Sequence, residues 1–86
     1  MKVLEIKNVS REDGCIYYFR KFTGEAVVQL PADTLDTPIA FSIESNPLGS
    51  KDIQIEFKQS INYPVLPVKK ALQEFILTRD SEGKLP

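Results

Sequence analysis

Ile39-Ala40-Phe41-Ser42-Ile43-Glu44 and, after Ser45–Ser50, Lys51-Asp52-Ile53-Gln54-Ile55-Glu56-Phe57 carry the pattern that decides the fold. In each run apolar side chains fall on every second residue and polar or small ones between them. That is the period of a strand with one greasy face and one wet face, as in an antiparallel sheet covered on one side. The break between them, Ser45-Asn46-Pro47-Leu48-Gly49-Ser50, is rich in turn residues. Strands are therefore expected at 38–44 and 51–58.

The cover for the greasy face lies downstream. Val65, Val68, Leu72, Phe75 and Ile76 recur at helical spacing, with Lys70 and Glu74 as an i,i+4 pair on the other side. Pro64 and Pro67 stand where a first helical turn tolerates proline, because those N–H groups lack intrahelical partners. A helix is expected at 64–79, ended by Asp80–Gly83, with 80–86 as a tail.

Upstream, Leu4 and Ile6 alternate with Glu5 and Lys7, which reads as a strand over 2–9. Asp13-Gly14 marks a turn. Residues 15–22, dense in aromatic and β-branched side chains, read as a second strand. Thr23-Gly24 reads as a two-residue hairpin turn, with the return strand at 25–30. The segment from Pro31 to Pro38 is punctuated like a loop. The fold class is thus α+β: a five-stranded antiparallel meander with one C-terminal helix packed on one face, forming a single domain over residues 1–86.

Composition narrows the function. Apolar residues make up 42% of the chain and charged residues 27%. Such values belong to globular proteins, so the chain is not expected to be disordered. A chain of this size buries only roughly 60–65% of its unfolded surface. Its core is therefore thin, and a partner would help it. Eleven basic and twelve acidic residues give a net charge of −1. That balance supplies no general attraction to phosphate. The single cysteine, Cys15, suits a reducing compartment. The charged N-terminal residues do not read as a signal peptide, and no apolar run approaches a bilayer span. The expected location is cytoplasmic, with no membrane association.

The chemistry inventory is short. Without histidine there is no commonest general base, no commonest zinc ligand and no Ser-His or Cys-His pair. The four glycines are scattered and form no phosphate-cradling loop. Asp33 with Asp36, and Glu12 with Asp13, read as turn carboxylates rather than a cation or proton-transfer site, since neither pair has calcium-loop spacing. Cys15 reads as a small buried hydrophobe. No catalytic residue, cofactor, metal or small-molecule ligand is expected.

One segment exceeds what a single covered face requires. With a turn at Thr23-Gly24, Cys15, Tyr17, Phe19, Ala26, Val28 and Leu30 form the core side of the hairpin. Ile16, Tyr18, Arg20, Phe22, Glu25, Val27 and Gln29 form the outer side. That outer mixture of aromatics and arginine resembles interface composition. It could be covered by a loop or the N-terminal segment, or form a protein interface, or act as a single-strand nucleic-acid platform. In the last case Tyr18 and Phe22 would stack on bases while Arg20 and Lys21 meet phosphates. The expected function is a non-enzymatic interaction module, self-associating as a homodimer or acting as an adaptor or regulator. Its surface is taken as Ile16, Tyr18, Arg20, Phe22, Val27 and Gln29. Single-stranded nucleic-acid binding by the same face is the alternative.

Overall fold

The computed structural model describes residues 1–14 and 18–86. Cys15, Ile16 and Tyr17, with the start of the strand expected at 15–22, lie outside the described residues. Four strands, β1 (Lys2–Arg11), β2 (Phe19–Gln29), β3 (Thr34–Ser45) and β4 (Lys51–Phe57), precede one helix, α1 (Val65–Ser81). The sheet is an antiparallel meander in the order β1-β2-β3-β4, and α1 packs on one face. The α+β architecture is as expected, with four strands instead of five.

The missing fifth strand has a specific cause. Thr23-Gly24 is not a turn, and β2 runs straight through it, pairing residue for residue with β3 from Phe19–Glu44 to Gln29–Thr34. A two-residue hairpin needs a positive φ, and positive φ among the glycines occurs at Gly14, Gly49 and Gly83. Gly24 is bare for a different reason. A Cβ there would stand 3.1 Å from Ile6 Cγ2, 3.3 Å from the Lys7 carbonyl oxygen and 3.4 Å from Val9 Cγ2. It is a close-approach glycine, where β1 lies down on β2.

The close approach works because β1 bulges twice. Its register against β2 shifts between Val3 and Glu5 and again between Lys7 and Ser10. At the second shift Asn8 adopts a left-handed conformation, with a φ of 55°. Asparagine tolerates that region better than most residues. The first shift places Val3 and Ile6, rather than Leu4 and Ile6, against the core, and leaves Leu4 exposed. The period-2 reading of 2–9 therefore chose the wrong partner for Ile6, because each bulge inserts a residue that breaks the period.

With no turn, parity runs unbroken along β2. Phe22, Ala26 and Val28 point inward together and are fully buried. They meet Ile39, Phe41 and Ile43 of β3, Ile53 and Ile55 of β4, and Val68, Leu72 and Ile76 of α1. Phe22 and Phe41 stack with ring centroids 4.9 Å apart and planes 16° from parallel. Only the middle of the expected helical stripe is fully covered. Val65, at the first turn, is exposed, and Phe75 lies half-buried beside Arg79, whose guanidinium sits 4.8 Å from its ring centre.

β3 begins at Thr34, inside the segment expected to be a loop, and so contains Pro38 in a central strand. A proline there normally removes a ladder bond. The Pro38 carbonyl accepts the Lys58 N–H at 3.2 Å, just past the last residue of β4. Its missing N–H thus faces the point where β4 has already ended. No ladder donor is lost inside the β3–β4 pairing. At the helix start Pro64 is the N-cap residue and Pro67 falls in the first turn, as the missing N–H groups allow.

Replacing Gly24 with valine drives a branched side chain into Ile6, Val9 and the Lys7 backbone. The expected loss is roughly 1–3 kcal/mol of unfolding free energy, read as a lower urea midpoint. An unchanged midpoint would mean that β1 does not rest on this glycine.

Candidate interaction surface

The residues singled out from sequence do not share one surface. Phe22 is 1% exposed in the core. Arg20, on the same side of β2 by parity, reaches the end of α1 and forms a two-pronged pair with Asp80, Nη1 to Oδ1 at 2.8 Å and Nη2 to Oδ2 at 3.0 Å. Tyr18 is half-exposed just before β2, where its carbonyl accepts the Ser45 N–H at 2.8 Å. Val27 and Gln29 face the opposite side, on the sheet surface that α1 does not cover. Ile16 lies outside the described residues. The expected outer face of a hairpin is corrected to two opposite faces of one strand, as the loss of the turn requires.

Asp80 is the centre of the one largely buried charge cluster among the described residues. Its side chain is 7% exposed and also accepts Lys51 Nζ at 2.7 Å, so β2, β4 and the last turn of α1 are tied together. A carboxylate near a helix C-terminus opposes the helix dipole. The Arg20 hydrogen bonds outweigh that and the cost of burial. With Lys51 helping, they hold the Asp80 carboxyl at about 2. Arg20 is pushed up in turn by Asp80. Both Asp80 oxygens and both Arg20 Nη groups are spent on fixing the helix, so the role of the cluster is structural.

The uncovered face of the sheet is acidic. Register places Glu5, Glu25, Asp36, Glu44, Asp52 and Glu56 on it, half of the twelve carboxylates, against Lys7 and Lys21. Lys7 pairs with Asp36 at 3.0 Å and Glu25 at 3.7 Å. Such exposed contacts are worth little to stability. Lys21 lies over the Phe19 ring at 5.7 Å. A shallow groove of about 390 Å³ crosses this face over Thr23, Ala40 and Ser42, between Lys21 and Gln54–Glu56. Its negative potential disfavours a phosphate backbone.

The two sheet edges differ. β1 is interrupted by bulges, the left-handed Asn8 and several charges. Those are usual ways of blunting an edge. β4 pairs with β3 without a shift from Ile39–Phe57 to Ser45–Lys51. In an antiparallel ladder a residue turns both backbone groups toward one neighbour or both away. The Lys58 N–H goes to Pro38, while the Ile53 carbonyl accepts Gln73 Nε2 from the helix at 3.0 Å. Lys51, Ile53, Ile55 and Phe57 therefore turn their N–H and C=O groups to the outside.

Beside this edge runs one stripe of α1. Leu77 and Gln73 border a groove of about 210 Å³ with Lys51, Asp52 and Ile53. Leu66, seven residues before Gln73, returns to the same stripe at helical spacing. Leu66 is 79% exposed and Leu77 43%. A regular strand edge and two bare leucines thus lie side by side. Sequence reasoning missed this pair because nothing in a run such as Asp52–Phe57 says whether a strand is central or at an edge.

No group of three metal-ligating side chains occurs among the described residues, and no described helix is long and apolar enough to cross a membrane. The fold and this surface define a small two-layer α+β domain, a meander closed on one side by a helix. The chain belongs to the BB-0187 family, whose profile matches residues 1–80. No curated protein and no solved structure matches it.

Asp80 gives this arrangement a pH signature. Its folded pKa, about 2, lies below the ordinary 3.8. Its contribution is therefore present above about pH 4 and fades as pH falls toward 2. Asp80→Asn is expected to cost on the order of 1–2 kcal/mol near neutral pH. The gap between the two proteins should close between about pH 4 and pH 2 in urea titrations. A gap of constant size across that range would separate Asp80 from the acid sensitivity.

Proposed function

We propose that this chain is a non-enzymatic protein-interaction module that associates with itself, using the β4 edge and the adjoining Leu66–Leu77 stripe. The observation that carries the reading is the contrast between edges. One is defended by two bulges, while the other is straight and flanked by exposed leucines. Exposed apolar side chains scattered singly are ordinary, but two on one stripe beside unpaired backbone groups form a continuous surface. A strand edge by itself is narrow against the ~1,600 Å² of a standard interface, so the helix stripe is needed to widen it. A reducing, cytoplasmic setting suits the single cysteine, and an adaptor or regulator role for the assembled form follows the same surface.

Nucleic-acid binding through the 16–29 segment has a weaker physical basis. Its stacking residue, Phe22, is in the core, its arginine is committed to Asp80, and the open face is acidic.

Leu66→Glu with Leu77→Glu alters positions that the monomer leaves exposed, so the circular dichroism spectrum and urea midpoint should hold. The wild-type chain should show a mass of two copies by light scattering or sedimentation, and the double variant should shift toward one. A wild-type chain that stays monomeric at high concentration, or a variant as dimeric as wild type, would overturn this surface.

A further inference from the structure

Self-association through β4 can be carried to a register. We infer that two copies join antiparallel, β4 to β4, with Ile55 on the two-fold axis, making one continuous eight-stranded sheet with both helices on the same side. The inference rests on the self-association proposed above and adds its geometry.

Backbone direction supplies the first constraint. Lys51, Ile53, Ile55 and Phe57 are the residues whose N–H and C=O point outward, so the new hydrogen-bonded pairs must be made among them. Charge selects among the registers this allows. With Ile55 on the axis, Ile53 faces the second copy's Phe57 on the helix side of the sheet. On the acidic side Asp52 faces the second copy's Lys58, and Gln54 faces Glu56, each contact occurring twice. Asp52 and Lys58 are both exposed in the single chain. Moving the axis one step to Gln54 sets Asp52 against Glu56 twice. Moving it to Glu56 sets Glu56 against itself, and moving it to Ile53 puts Lys51 against Ile55 and shortens the ladder. Like charges directly opposite destabilise a strand pair, whereas opposite charges support it. The register centred on Ile55 is the one with complementary charges and apolar side chains aligned.

A two-fold axis perpendicular to the sheet brings the two α1 helices to the same side, each offering its Leu66–Gln73–Leu77 stripe toward the junction. Gln73 must then release the Ile53 carbonyl, which takes the second copy's Phe57 N–H in its place. The exchange trades a side-chain hydrogen bond for a backbone one.

Charge reversal tests the register. Asp52→Lys places lysine against Lys58 at both ends of the junction and should weaken the dimer roughly tenfold in dissociation constant, and Lys58→Asp should do the same. The double variant Asp52→Lys/Lys58→Asp should return to within about threefold of wild type. Amide exchange gives a readout that does not depend on substitution. The N–H groups of Ile53, Ile55 and Phe57 should become protected as protein concentration rises, while those on the outer side of β1 should not. A dimer whose affinity ignores both single reversals, or in which the double variant is no tighter than the singles, would overturn the register and leave self-association standing. A dimer without concentration-dependent protection at Ile53, Ile55 and Phe57 would overturn edge pairing. A chain monomeric at every concentration would overturn the self-association reading beneath it.

Discussion

The architecture hangs on the contact between β1 and the bare Cα of Gly24. Ile6 and Val9 occupy the space a side chain at position 24 would need, and they can do so because β1 bulges around Asn8. The bulge and the glycine are two halves of one fit. Because it keeps β2 straight through Thr23-Gly24, Phe22 stays in phase with Ala26 and Val28, and the Phe22–Phe41 stack forms at the centre of the core. The same phase directs Arg20 toward the helix end, where Asp80 receives it. A local packing choice at one residue thereby fixes the core, the anchoring of α1 and the character of the open face.

Legibility in the sequence followed from how far each segment obeys a single period. The alternation of Ile39–Ile43 and Ile53–Phe57 identified both later strands and their buried side, because β3 and β4 pair without interruption. The helix was readable from Val68, Leu72 and Ile76, although Val65 at its start is exposed and Phe75 only half-covered. The first half resisted for physical reasons. In β1 two inserted residues reset the phase, so Leu4 replaced Val3 in the reading. In β2 a glycine selected for close approach has the same letter as one selected for a turn, and the flanking sequence does not distinguish them. The error at Gly24 inverted the phase of Phe22 relative to Ala26. The surface expected from Tyr18, Arg20, Phe22, Val27 and Gln29 divided accordingly between core, ion cluster and open face.

Charge is distributed as unevenly as the apolar groups. The open face of the sheet gathers half of the chain's carboxylates, while Lys58, Lys69, Lys70, Arg79 and Lys84 belong to the helical third. A net charge near zero thus conceals two oppositely charged sides. Asp80 is the acidic residue that crosses this division, and it does so inside a cluster that satisfies both of its oxygens. The segregation gives the molecule a dipole, which orients an approaching charged surface before contact.

The bulges of β1 also set a valence. A sheet with two open edges can be extended from both, and repeated extension makes a ribbon without a natural length. Here one edge is unusable, so any strand that joins β4 leaves nothing further to join. Addition stops after one step, and the product is a finite particle rather than a fibre. The two residues inserted into β1 act as a chain terminator, at the opposite side of the sheet from the event they limit.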